Sequence, residues 1–114
     1  MGIDGIYSGY MTGAEGNGFS MFVFSAGAIV GADPLGVSFD GKYEKSESGH
    51  AVHIKVTVPS DGTVIQGVSS GPNGMTYDVE MVLEDGFEDH EFIRIDTPLG
   101  PVNLRLEKLR SLDI

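Results

Sequence analysis

The chain has 114 residues, with 17 acidic and 7 basic side chains and a formal net charge of −10. That length fits one domain with one core. Cysteine and tryptophan are absent, which excludes disulfides and thiolate metal sites. The charge balance excludes the clustered Lys and Arg that phosphate backbones require, and it disfavours anionic membrane surfaces. Glycine occurs 17 times and is spread through the chain, which argues against a helical bundle because glycine weakens helix interiors.

The start Met1-Gly2-Ile3-Asp4 carries no basic, apolar leader pattern, and no stretch approaches the ~18 apolar residues of a membrane span. The sequence therefore reads as a cytoplasmic protein without a membrane partner. Period-two alternation, cut by Gly-rich turns, predicts short antiparallel strands. The first covers 3–11, the second 18–25 and the third 28–33, with a tight turn at Ala26-Gly27. In the fourth, Val37, Phe39, Gly41 and Tyr43 face one way, against Ser38, Asp40, Lys42 and Glu44. In the fifth, Val52, Ile54, Val56 and Val58 oppose His53, Lys55 and Thr57, and Pro59 ends the run.

Residues 60–74 are turn-rich and read as a loop, with room for a short strand at 63–68. The sixth strand sets Met75, Tyr77, Val79, Met81 and Leu83 against Thr76, Asp78 and Glu80. Residues 84–90 read as an acidic hairpin loop leading into a seventh strand, in which Ile93 and Ile95 oppose Phe92, Arg94 and Asp96. After the turn at 97–101, Val102, Leu104 and Leu106 form the inward face of an eighth strand. The segment 108–114 either closes the barrel or frays, and a helix of a turn or two has room near the C-terminus. An eight-stranded meander is expected to curl, so the predicted fold is all-β: a single domain, an antiparallel up-and-down β-barrel without exposed edges.

Chemistry-bearing motifs are few. His50 and His53 point to opposite faces of one strand, and no third metal ligand accompanies them. Glu84, Asp85, Glu88, Asp89 and Glu91 form an acidic run whose spacing fails the EF-hand pattern. It reads as a solvated loop or, as a site, a docking patch that steers a basic protein. No nucleophile elbow is present, and no helix follows Gly16-x-Gly18 or the glycines at 67, 71 and 74 to make a phosphate loop. Neither a catalytic residue nor a cofactor is expected. Tyr7, Phe39, Tyr43, Met75, Tyr77 and Met81 read mainly as core, with a cavity lining as the other reading.

With the strands laid out, Asp4-Gly5-Ile6-Tyr7, Gly16-x-Gly18, Gly27-x-Ile29-x-Gly31-x-Asp33 and Phe39-x-Gly41-x-Tyr43 fall into a pattern. Over residues 4–58 the chain resembles the GrlR family, small negative regulators of type III secretion. It departs from that pattern in reading Gly31-Ala32-Asp33 where the family tends to have Gly-Gly-Asp, and Phe39 where Tyr is common. The resemblance implies a lipocalin-like barrel that forms a homodimer and sequesters a transcriptional activator. An activator that binds DNA is basic, which would suit the acidic run. Two other readings stand beside this one: a carrier or sensor of an apolar small molecule, and an enzyme using His50, His90 or a tyrosine at the barrel mouth.

Val82 and Phe92 are apolar residues on the polar faces of their strands and are the candidate dimer surface. The pair Val82→Asp and Phe92→Asp is expected to shift a dimer toward monomer, read as mass by light scattering.

Overall fold

A computed structural model describes residues 2–89 and 92–112. The chain is all-β: β1 (Gly5–Gly13), β2 (Gly16–Ser25), β3 (Ala28–Ala32), β4 (Ser38–Lys45), β5 (Gly49–Val58), β6 (Met75–Glu84), β7 (Ile93–Thr97) and β8 (Gly100–Ser111). All ladders are antiparallel, in the order β6-β5-β4-β3-β2-β1-β8-β7. The meander rolls into a nearly closed barrel because β8 returns to pair with β1 from Gly5↔Ser111 to Thr12↔Asn103. The segment after Glu107 therefore closes the barrel through Ser111.

Two expectations need correction. β6 and β7 share no ladder, so the connection between them is not a hairpin and both strands keep a free edge. The physical reason lies in Phe87. It is 2 % exposed and sits in a single 3-10 turn, Phe87–Asp89, that folds into the barrel end. Burying that ring takes the backbone away from the tight return a hairpin needs. Residues 63–68 likewise form no strand; only an isolated bridge joins Thr63 to Ser69.

Alternation decides what faces inward. On β5, Val52, Ile54, Val56 and Val58 are all buried, and on β8 so are Val102, Leu104 and Leu106. Burying each such side chain stabilises the fold by roughly 1.5–3 kcal/mol. At the end that carries the β2–β3 turn and Phe87, Tyr7 packs on Phe24 with ring centroids 4.8 Å apart and on Phe87 at 5.9 Å. The Tyr7 hydroxyl donates to the Ile3 carbonyl at 2.7 Å, so its polar end is satisfied, and burial holds its pKa above the ordinary phenol value. This stack plugs one end of the barrel.

The same end is tied by Asp4. Its carboxylate accepts from the Tyr43 hydroxyl and from the Ala26 backbone N–H at 3.1 Å, joining the N-terminal segment to β4 and to the β2–β3 turn. Those two bonds, the Tyr43 one foremost, hold the Asp4 carboxyl below its usual pKa of 3.8. A carboxyl depressed in the folded state adds stability above its unfolded pKa and loses it as pH falls through the folded value. Asp4→Asn is therefore expected to lower the urea midpoint at pH 7 and to leave a smaller further loss at pH ~3, measured by urea titration at both pH values.

Candidate functional site

The other half of the barrel is hollow. A cavity of about 610 Å³ opens toward the end that carries the β1–β2, β3–β4, β5–β6 and β7–β8 connections. Its wall is built from inward residues of the strands, among them Phe22, Phe39, Ile54, Val79, Met81 and Leu104. An eight-stranded barrel is narrow enough for side chains to fill it, so an open lumen needs a cause. Phe22 supplies part of it. Its ring lies against Gly9 of β1 and Gly31 of β3, where an added Cβ would come within 2.6 Å of ring carbons. With no side chain at either glycine, the ring lies flat on the wall beside Phe39, centroids 5.0 Å apart. The lumen stays open beside it.

The long segment between β5 and β6 covers the mouth. It is an ordered strap: Asp61 N–H donates to the Gly71 carbonyl at 2.7 Å, and Ser70 N–H to the Gly62 carbonyl at 2.8 Å. The Ser70 hydroxyl donates to Pro59. Asp61 takes a positive φ of 59°, and Gly67, Gly71 and Gly74 also lie in the left-handed region, which gives the strap its turns. Its apolar tip, Val64 and Ile65, lines the cavity. Glu15 N–H donates to the Ile65 carbonyl at 2.9 Å, fastening the tip to the β1–β2 turn. On the far side, the Gln66 amide donates to Thr97 Oγ1 at 3.2 Å and reaches the Tyr77 hydroxyl at 3.5 Å.

The expected lining divides between the cavity and the packed core. Phe39, Tyr77 and Met81 line the cavity. Tyr7 is wholly buried in the plug, Tyr43 packs on Phe24 near it, and Met75 lies against the core outside the cavity. A fully packed interior, the plainer sequence reading, holds for the plugged half alone. Phe22, Ile54, Val79, Ile95 and Leu104 belong to the buried core, as their inward positions imply, and also line the cavity. Val64 and Ile65 had no assigned role; an apolar pair inside a turn-rich loop is the signal that marks them.

Other candidates lie elsewhere. His50 sits against the Tyr43 ring at 5.9 Å, and His53 is on the outer surface, 3.2 Å from Asp78 and 3.4 Å from Glu80. Neither faces the cavity, and His90 lies outside the described residues. Among the described residues, no group of three His, Asp or Glu is placed to hold a metal ion, and no helix is long and apolar enough to cross a membrane.

Glu84, Asp85, Glu88 and Asp89 are all exposed around the buried Phe87, while Glu91 lies outside the described residues. Asp85 forms a surface ion pair with Lys45 at 3.5 Å, of a kind that adds little stability. Val82 and Phe92 are exposed, at 49 % and 57 %. A broader apolar face lies on β1–β3, where Tyr10, Phe19, Met21, Val23 and Val30 point outward.

Gly9→Ala is expected to push the Phe22 ring into the lumen. Overpacking of this kind costs roughly 1–3 kcal/mol, visible as a lower urea midpoint, and the cavity should take up less of any apolar probe.

The chain matches no family model, no curated protein and no solved structure.

Proposed function

We propose that the chain is a non-enzymatic binding protein that holds an apolar small molecule in the hollow half of its barrel. The observation that carries this reading is the cavity itself. Its volume of about 610 Å³ lies inside the range of roughly 300–1,000 Å³ typical of small-molecule sites. Packed protein interiors otherwise hold few voids larger than a water molecule. The wall is mostly aliphatic and aromatic, so water inside finds few partners and an apolar guest displaces it favourably. The plug supports one end, and the strap lies over the other.

N-phenyl-1-naphthylamine, a neutral apolar fluorophore, is expected to bind with enhanced, blue-shifted emission. Val79→Phe places its added volume in the void, and it is expected to weaken that binding by at least tenfold, or about 1.4 kcal/mol, with an unchanged circular dichroism spectrum. Absence of probe binding by the unmodified protein would sink the proposal.

A second reading is favoured by the acidic segment. Asp85 N–H donates to the Ser48 carbonyl at 2.9 Å and Asp89 N–H to the Gly86 carbonyl at 3.0 Å, while Phe87 anchors the segment from beneath. A fixed cluster of four exposed carboxylates suits a basic partner, in keeping with a GrlR-like regulator that sequesters a transcriptional activator. Replacing Glu84, Asp85, Glu88 and Asp89 together by Ser is expected to abolish pull-down of such a basic activator. Retained binding would remove the segment from the interface.

A further inference from the structure

We infer that the cavity selects an uncharged lipophile carrying one hydroxyl or carbonyl group, which it holds between Tyr77 and Gln66. The inference rests on the ligand-binding reading above and narrows it to a chemical class.

The first argument is charge. Among the described residues, no Lys, Arg or His side chain lines the cavity. A carboxylate or phosphate head taken into this lumen would lose its water and gain no cation, and burying an unpaired ion is strongly unfavourable. The carboxylates among the lining residues, Asp33 and Asp61, repel such a head further. They offer little to a buried cation either. Asp61 is exposed, and Asp33 Oδ1 already accepts the backbone N–H groups of Leu35 at 2.8 Å and Val37 at 2.9 Å.

The second argument is the placement of neutral polar groups. Gln66 hangs from the strap and Tyr77 rises from β6, and both line the cavity beside Thr97. Thr97 Oγ1 is saturated: it donates to the Gly100 carbonyl at 2.6 Å and accepts from Leu99 N–H at 3.1 Å and from Gln66. The Tyr77 oxygen meets the Gln66 amide at 3.5 Å, the outer limit of a hydrogen bond. Its own hydrogen and the Gln66 Oε1 have no protein partner among the described residues. One free donor and one free acceptor therefore stand at one end of a largely apolar chamber. A hydroxyl satisfies both, and a carbonyl satisfies the donor. Burial also raises the Tyr77 pKa above the ordinary value, so the phenol keeps its proton as a donor.

The test uses three molecules with one alkyl chain: 1-decanol, decanoate and decylammonium. Each competes at pH ~8, where the acid and the amine are ionised, for N-phenyl-1-naphthylamine bound to the intact protein. Decanol is expected to displace the probe at least tenfold more strongly than either ion. Tyr77→Phe is expected to shrink the decanol-to-decanoate ratio severalfold. Decanoate binding as tightly as decanol would overturn the head-group inference and leave the cavity reading intact. Tightest binding by decylammonium would also overturn it, and would assign selection to Asp33 and Asp61. An unchanged ratio in Tyr77→Phe would overturn the role given to that hydroxyl. Failure of the probe itself to bind would remove the cavity reading and this inference together.

Discussion

Phe22 lies flat across Gly9 and Gly31, and the shape of the lumen depends on that contact. A ring standing upright at mid-barrel would cross a space only a few side chains wide. Laid on the wall, it lets the interior divide into two unlike halves. Below it, Tyr7, Phe24 and Phe87 stack into a solid plug whose polar atom is paired to Ile3. Above it, apolar side chains from seven strands end short of one another. Dense packing and open volume thus lie at opposite ends of one small barrel. The plug end also holds the Asp4 links to Tyr43 and Ala26, while the strap ties the mouth to Glu15, Thr97 and Tyr77.

Much of the fold could be read from residue patterns, because alternation is a local property with a direct geometric meaning. Val52 to Val58 and Val102 to Leu106 alternate cleanly, and their strands form as expected. Periodicity tells which way a side chain points. It does not tell how far along the barrel axis the residue sits, and that height separates Tyr7 in the plug from Phe39 and Tyr77 at the cavity. The β6–β7 connection was opaque for a related reason. Acidic residues and Gly86 mimic a hairpin turn, whereas one apolar residue, Phe87, determines the path through a tertiary contact.

The strap was harder still. Residues 60–74 contain few apolar side chains, and only the shape of the open barrel gives Val64, Ile65 and Gln66 something to cover. The outward apolar face of β1–β3 left a trace in sequence. Phe19, Met21 and Val23 interleave with Phe22 and Phe24, so β2 is apolar on both faces. The cavity's lack of cationic residues is also written in composition. With 7 basic residues in the chain, those on β4, β5, β7 and β8 are spent on the outer surface and near the plug, and none reaches the lumen.

The unpaired seam between β6 and β7 has a mechanical meaning. A barrel laced all the way round has a fixed girth, since widening it must break ladder hydrogen bonds. This one is a sheet rolled until its margins meet without being stitched. Its girth can change by sliding or parting those two margins, with all seven ladders left whole. Tyr77 and Met81 stand on one margin, and Ile95 and Thr97 on the other. The wall of the chamber is therefore interrupted along a single line, where no ladder hydrogen bond resists a change of width.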